Sequence, residues 1–467
     1  MVAMQKYKNT SFLISQNKRL GEFPDTKDAL SNFFRLAIPS IIELCFASLI
    51  SAIDLMMVGN LGSYATSSVG LCTQPTFLAL CFFFALNTGV TATVARRKGQ
   101  GDRDGAVKAL KQTLFVGFFI SLFFTALLLL AGRPLIKFAG AIPGETLDPA
   151  TSYFKILSSF LVFRALMLTI NAALRGVGET RTTLVTNVCA NLVNIILNYL
   201  LIEGHFGFPA MGVAGAALAS GIGFVAGFLI ALRSIMRKGS FLRISFHTSF
   251  VPTKETFAPI LRISSNSLIE QLFIRIGFFV VAKLAAKLGT DGFSAHTILQ
   301  QVISFTYNIG DGLGVATTTL VGQNLGKKRS DISEMYCKLS QRCAFVSASL
   351  TMAVIISCRY FIPTFFSEEA YVIQLVATGL IPLSVMQFFQ QHQVIFASTL
   401  RGAGDTRSVA ISNVIGIGLI RPISAVVSVL IFDNLVLLWS LMVLDMVFRY
   451  FFLKHRFNLE KWKYIKV

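Results

Sequence analysis

Four acids stand inside long apolar runs, where a charge needs a reason. Asp54 lies in LISAIDLMMVGNLG, Glu43 eleven residues earlier, Glu270 in NSLIEQLFIRIG and Asp311 in NIGDGLGVATT. Eleven residues are three helical turns, so Glu43 and Asp54 share one face. A charge at the centre of a bilayer costs at least ~2.5 kcal/mol. Amides cluster as well. NVCANLVNIILNYLL carries Asn187, Asn191, Asn194 and Asn198 at spacings of three and four, again one helical face. QFFQQHQ carries Gln387, Gln390, Gln391, His392 and Gln393. A carboxylate with amide oxygens is a ligand set for Na⁺, a hard cation. A carboxylate in an apolar site can instead hold a proton. The competing reading is structural: buried acids pair with bases, and Asn and Gln join helices. Arg275, five residues after Glu270, is a candidate partner for that acid. Arg164 reads as structural, by snorkelling or pairing, and so does His392.

The elements that position these residues are membrane spans. The chain is 54% apolar and only 14% charged, against roughly 25% charged in soluble domains. Twelve windows of about 20 nearly charge-free residues predict transmembrane helices, as in FVGFFISLFFTALLLLA. The expected divisions are a polar N-terminal segment 1–33, a first half 34–235, a linker 236–255, a second half 256–453 and a tail 454–467. With the N-terminus inside, 33 of the 42 Lys and Arg fall at or beyond cytoplasmic span ends. That is the positive-inside pattern, and it predicts both termini in the cytoplasm. The net charge of +19 therefore reflects topology and anionic lipid, and argues against a nucleic-acid partner. The seven cysteines form no CxxC, so neither a disulfide nor a metal site is expected. No HExxH and no phosphate loop is present, so the chain does not read as an enzyme or as driven by ATP.

The chain also repeats itself. LRGVGETR (174–181) returns as LRGAGDTR (400–407), 226 residues later. Residues 43–62 align with 270–289 at offset 227, and 85–101 with 310–326 at offset 225. Six spans lie between copies, so both halves enter the membrane in the same sense. Parallel repeats of six helices, related by an axis along the membrane normal, are a transporter's organisation. Each copy of the motif falls at a cytoplasmic span end. Arg175 and Arg401 read as anchors at helix C-termini, and the Gly-x-Gly as a tight helix end. Pro39, Pro75 and Pro382 are candidate bends.

The segments IDLMMVGNLG, LRGVGETR with NLVNIILNYLLIEGHFGFPAMGVAGAALAS, LVGQNLG and LRGAGDTR resemble the multidrug and toxic compound extrusion (MATE) transporters, from about Leu36 to Trp462. The resemblance implies an all-α polytopic fold of twelve helices in two six-helix lobes arranged as a V. It implies efflux of organic, often cationic or amphipathic, compounds in antiport with Na⁺ or H⁺, by alternating access. Carried over residue by residue, it implies a cation-coupling site at Asp54, Asn194, Asn198 and Ser220, with Na⁺ held at Asp54, Asn194 and Asn198. In the second half it implies Glu270, but Gln390 stands where many members have an aspartate, so a complete second cation site is not expected. Glu43, Gln74, Phe82, Phe84, Gln301, Asp311 and Gln390 are expected to line the substrate cleft. No cofactor beyond the coupling ion is implied. A monomer in the plasma (inner) membrane is expected, with a small organic substrate and the bilayer as its partners. Flippases of lipid-linked oligosaccharides share the fold class and are the alternative.

Overall fold

The computed structural model describes residues 9–244 and 249–465. Residues 1–8 of the expected N-terminal segment, 245–248 of the expected linker 236–255 and 466–467 of the expected tail lie outside the described residues. Among the described residues there is no sheet, only one isolated bridge between Asn9 and Asp25. The helices are α1 (Thr26–Gly59), α2 (Ser63–Gln100), α3 (Arg103–Phe138), α4 (Leu147–Ser159), α5 (Leu161–Val177), α6 (Thr180–Leu201), α7 (Gly212–Met236), α8 (Lys254–Ala285), α9 (Gly289–Gly326), α10 (Ser330–Ser357), α11 (Ala370–Ala403), α12 (Thr406–Ile415), α13 (Arg421–Val426) and α14 (Leu435–Asn458).

α4 and α5 form one span bent by 50° at Phe160. A π-turn at Gly416–Ile420 joins α12 to α13, and a second, Val427–Ile431, extends α13. Twelve passages result. Nine of the spans, or ten with the bent pair, are long and apolar enough to cross a membrane unaided. α8 and α9 are long but are not among them; they carry Glu270, Arg275, Asp311 and several amides. Helices predominate because lipid offers the backbone no hydrogen-bond partner, so each segment must satisfy its own. Outward faces are apolar: Leu130 is 85% exposed, Leu350 66% and Phe123 63%. In water such a surface would be costly; in lipid it is the ordinary one. α1, α2 and α11 run on through Pro39, Pro75 and Pro382. The 50° break between α4 and α5 lies at Phe160.

The chain divides into two compact units. One is 42–264; the other is 1–41 together with 265–467. The divisions fall inside α1 and α8, not in loops. α1 is 34 residues long, about 51 Å at the helical rise, well beyond a ~30 Å hydrocarbon core. Its first sixteen residues pack with Leu13, Phe23, Leu320 and Phe457 in the second unit's core, through Ala29, Phe33 and Leu36. Within unit 42–264 the cores are built by α2, α3, α5 and α7 around Val90, Leu110, Ile170 and Ala231, and by α2, α3, α4 and α5 around Phe83, Ile136, Phe154 and Ala165.

Candidate functional site

The repeated motif is a structural joint, and each of its residues has a separate task. Gly178 adopts φ +87 and Gly404 φ +89. This left-handed conformation closes α5 and α11: Gly178 N donates to Arg175 O (3.0 Å) and Glu179 N to Leu174 O (2.8 Å), as Gly404 N does to Arg401 O (3.0 Å) and Asp405 N to Leu400 O (2.8 Å). The other glycine permits close approach of a neighbouring backbone. A Cβ on Gly176 would lie 2.8 Å from Thr91 O, and one on Gly402 2.5 Å from Thr318 O. Asp405 then caps α12 by accepting from Ser408 N (3.4 Å) and Ser408 Oγ (2.9 Å).

The arginine of each copy reaches a buried acid of the same unit. Arg175 pairs with Glu43, which also accepts from Thr183 Oγ1 (2.8 Å) and Asn187 Nδ2 (2.6 Å). Arg401 pairs with Glu270, which also accepts from Asn413 Nδ2 (2.7 Å). Glu43 and Glu270 thus occupy equivalent places in the two repeats, each satisfied by a base and an amide. Arg175 and Arg401 are more than end anchors, and Glu270's Oε1 is engaged by Arg401. Unit 1–41 with 265–467 extends this network. Arg449 Nη1 donates to Asn413 Oδ1 (2.9 Å), Arg449 Nε to Asp445 Oδ1 (2.7 Å) and Arg421 Nε to Asp445 Oδ2 (2.9 Å). Asp445, the acceptor for both arginines, was not singled out from sequence. Its signal was present: an i,i+4 Asp–Arg pair inside an apolar helix.

Asp54 is different, for no base pairs with it among the described residues. α1 places it three turns beyond Glu43, α6 brings Asn194 and Asn198, and α7 brings Ser220. Asn198 Nδ2 donates to Asp54 Oδ1 (2.7 Å), leaving Asn198 Oδ1 buried without a partner. The Asn194 amide is satisfied in one sense only. With Nδ2 on Ser220 Oγ (3.0 Å), its oxygen faces the carboxylate. Turned over, its nitrogen donates to Asp54 Oδ1 (2.8 Å) and Oδ2 (3.1 Å) while its oxygen accepts from Ser220 Oγ (3.0 Å) and Ser220 N (3.2 Å). The turned form satisfies a bare carboxylate. The other form sets oxygen against oxygen and requires a proton or a cation between them. The orphan Asn198 Oδ1 is a further hard oxygen at the same place.

Two cavities meet at this point. One, about 420 Å³, is lined by Ser51, Asp54, Tyr153, Asn198 and Ser220. The other, about 390 Å³, is lined by Glu43, Asp54, Arg175, Asn187 and Asn194. Ser51, Asp54, Arg164, Ser220 and Phe224 line both. The Arg164 guanidinium lies 4.8 Å from the Phe224 ring centroid, neither snorkelling to a span end nor paired with an acid among the described residues.

The remaining residues are dispersed. Phe84 lines the second cavity. Phe82 packs on Phe124, ring centroids 4.8 Å apart. Gln74 and Asp311 are exposed, and Gln301 is half-buried. Gln390 is fully buried with neither amide atom hydrogen-bonded. His392 Nδ1 contacts Gln341 Oε1 and lines a third cavity, about 530 Å³, with Lys338, Arg342 and Lys454. All seven cysteines are free.

Comparison with known proteins places these features in context. The MatE family profile matches residues 39–200 and 267–427, one match in each repeat. The chain is similar to the multidrug resistance protein PmpM of Pseudomonas aeruginosa, 28% identical with 84% of this chain and 82% of that one covered. It is likewise similar to the "Probable multidrug resistance protein NorM" of Thermotoga maritima, 28% identical over 92% of this chain and 91% of that one. A solved outward-facing MATE transporter superposes with TM-score 0.86 at 22% identity, covering 93% of this chain and 96% of the other.

Proposed function

The chain belongs to the MatE family of multidrug and toxic compound extrusion transporters, and from that premise we propose that it is a secondary active antiporter that expels organic compounds in exchange for Na⁺ or H⁺ bound at Asp54. As a member of that family it is an integral membrane transporter and not an enzyme. The observation that carries the reading is the unpaired Asp54 carboxylate, set among Asn194, Asn198 and Ser220 where two cavities meet.

The coupling chemistry is local. Without a cation, Asn194 turns its nitrogen to Asp54 and its oxygen to Ser220. When Na⁺ or a proton arrives, the carboxylate charge is neutralised and the amide turns over, so that its oxygen serves the cation or accepts from the protonated acid. Either event changes how α6 and α7 are tied to α1. Cargo and cation favour different states, which is the thermodynamic requirement for exchange. Alternating access of the two repeats, with the termini on the cytoplasmic side of the plasma membrane, converts that difference into transport by a monomer. Organic cargo is supported by the names of the multidrug resistance relatives. Glu43 and Glu270, already neutralised by Arg175 and Arg401, hold the joints, and Glu270 is not needed as a cation ligand. The test is dye efflux from proteoliposomes under separately imposed Na⁺ and H⁺ gradients. Asp54→Asn is expected to abolish gradient-driven efflux in a protein that still folds and inserts; unchanged efflux would refute the assignment.

A further inference from the structure

Arg164 has no part in the exchange just described, yet its position is costly. A guanidinium inside a span without a counter-ion marks a substrate or ion path unless it is paired. Four buried or half-buried arginines elsewhere in the helices are paired: Arg175 with Glu43, Arg401 with Glu270, and both Arg421 and Arg449 with Asp445. Among the described residues Arg164 has no carboxylate within 4 Å. The fold nevertheless aims it. The span breaks at Phe160, whose carbonyl still accepts from Arg164 N at 3.2 Å. The Phe160 ring occupies the space over Gly221, where a Cβ would come within 2.2 Å of it. One turn further along α7, Phe224 supports the guanidinium face. A guanidinium held against a ring can still offer N–H groups to a planar acceptor such as a carboxylate. Arg164 lines both of the cavities that Asp54 lines.

We propose that Arg164 anchors a carboxylate of the transported molecule, and that Arg164 and Asp54 together select small zwitterionic amphiphiles. The proposal rests on the transport reading and names its substrate class. A purely cationic cargo would meet the Arg164 charge in the same cavities. A purely anionic cargo would not compete with the coupling cation for Asp54. A zwitterion satisfies both requirements: its ammonium occupies Asp54 until the coupling cation displaces it, and its carboxylate sits on the Arg164 fork. The two cavities, about 420 and 390 Å³, suit a drug-sized molecule.

The experiment uses one dye scaffold in two charge forms, a rhodamine with a free carboxylate and its methyl ester. Fluorescence polarisation measures their binding to the purified full chain in detergent, without any gradient. The acid form should bind about tenfold more tightly than the ester. Arg164→Gln should bring the ratio near one, Arg164→Lys should leave it intermediate, and Asp54→Asn should weaken both forms while keeping the preference. A wild-type protein that favours the ester or fails to bind the acid overturns the proposal, as does Arg164→Gln with an unchanged ratio. Efflux of the two dyes from wild-type proteoliposomes is scored separately. Its absence counts against the transport reading, whereas the binding ratio decides the carboxylate site alone.

Discussion

Removing Arg175 leaves Glu43 as an unpaired charge in a site where its side chain is 4% exposed. Breaking a buried ion pair from one side costs about 3–5 kcal/mol. Two features lower that figure here. Arg175 is itself 25% exposed, and Thr183 and Asn187 would still donate to the carboxylate. We expect Arg175→Ala to cost about 2–3 kcal/mol. Adding Glu43→Gln to Arg175→Ala removes the stranded charge while keeping an acceptor for Thr183. The double variant should therefore be more stable than Arg175→Ala alone, by about 1 kcal/mol or more. The assay is a thermal-unfolding cycle of wild type, both single variants and the double variant in one detergent. A double variant that melts below Arg175→Ala would show that the pair does not hold this joint. The equivalent cycle at Glu270 and Arg401 should recover less, because Asn413 links that pair to Arg449 and Asp445.

Other outcomes follow from the same geometry. Gly178→Ala and Gly404→Ala should each lower stability by about 1–2 kcal/mol through the left-handed cap. Gly176→Ala and Gly402→Ala should lower the thermal midpoint further, because the new Cβ meets a neighbouring carbonyl rather than open space. Asp445→Asn should be among the most damaging single changes, since it strands both Arg421 and Arg449; yield of folded protein on size-exclusion chromatography reads this. Just beyond α14, burial pushes the Glu460 carboxyl up, but hydrogen bonds from Lys18 and Lys463 outweigh it and hold the group below its ordinary value. Its contribution is therefore full above the unfolded carboxylate value and is lost as pH falls through the lower folded one. The pair is partly exposed, so Glu460→Gln should change the thermal midpoint only slightly at neutral pH and not at all once the acid is protonated.

Much of this protein was legible in its residues. Low charge, apolar runs and lopsided basic loops fix a helical membrane chain, because a bilayer admits few backbone solutions. The repeat at a nearly constant offset of 225 to 227 residues fixes two equivalent halves. It even places Glu43 with Glu270 and Arg175 with Arg401 as counterparts. Helical spacing puts Asn194 and Asn198 on one face, and the family resemblance adds Ser220. Partner choice was not legible, because it depends on which helix faces which. Glu270 is paired with Arg401, 131 residues away in sequence. Arg449 is buried against Asp445, one turn earlier on the same helix. Arg164 looked like a snorkelling residue until the break at Phe160, seated on Gly221, aimed it into the cavities beside Asp54. Sequence sets the period and polarity of each helix. Only packing decides which buried charges meet.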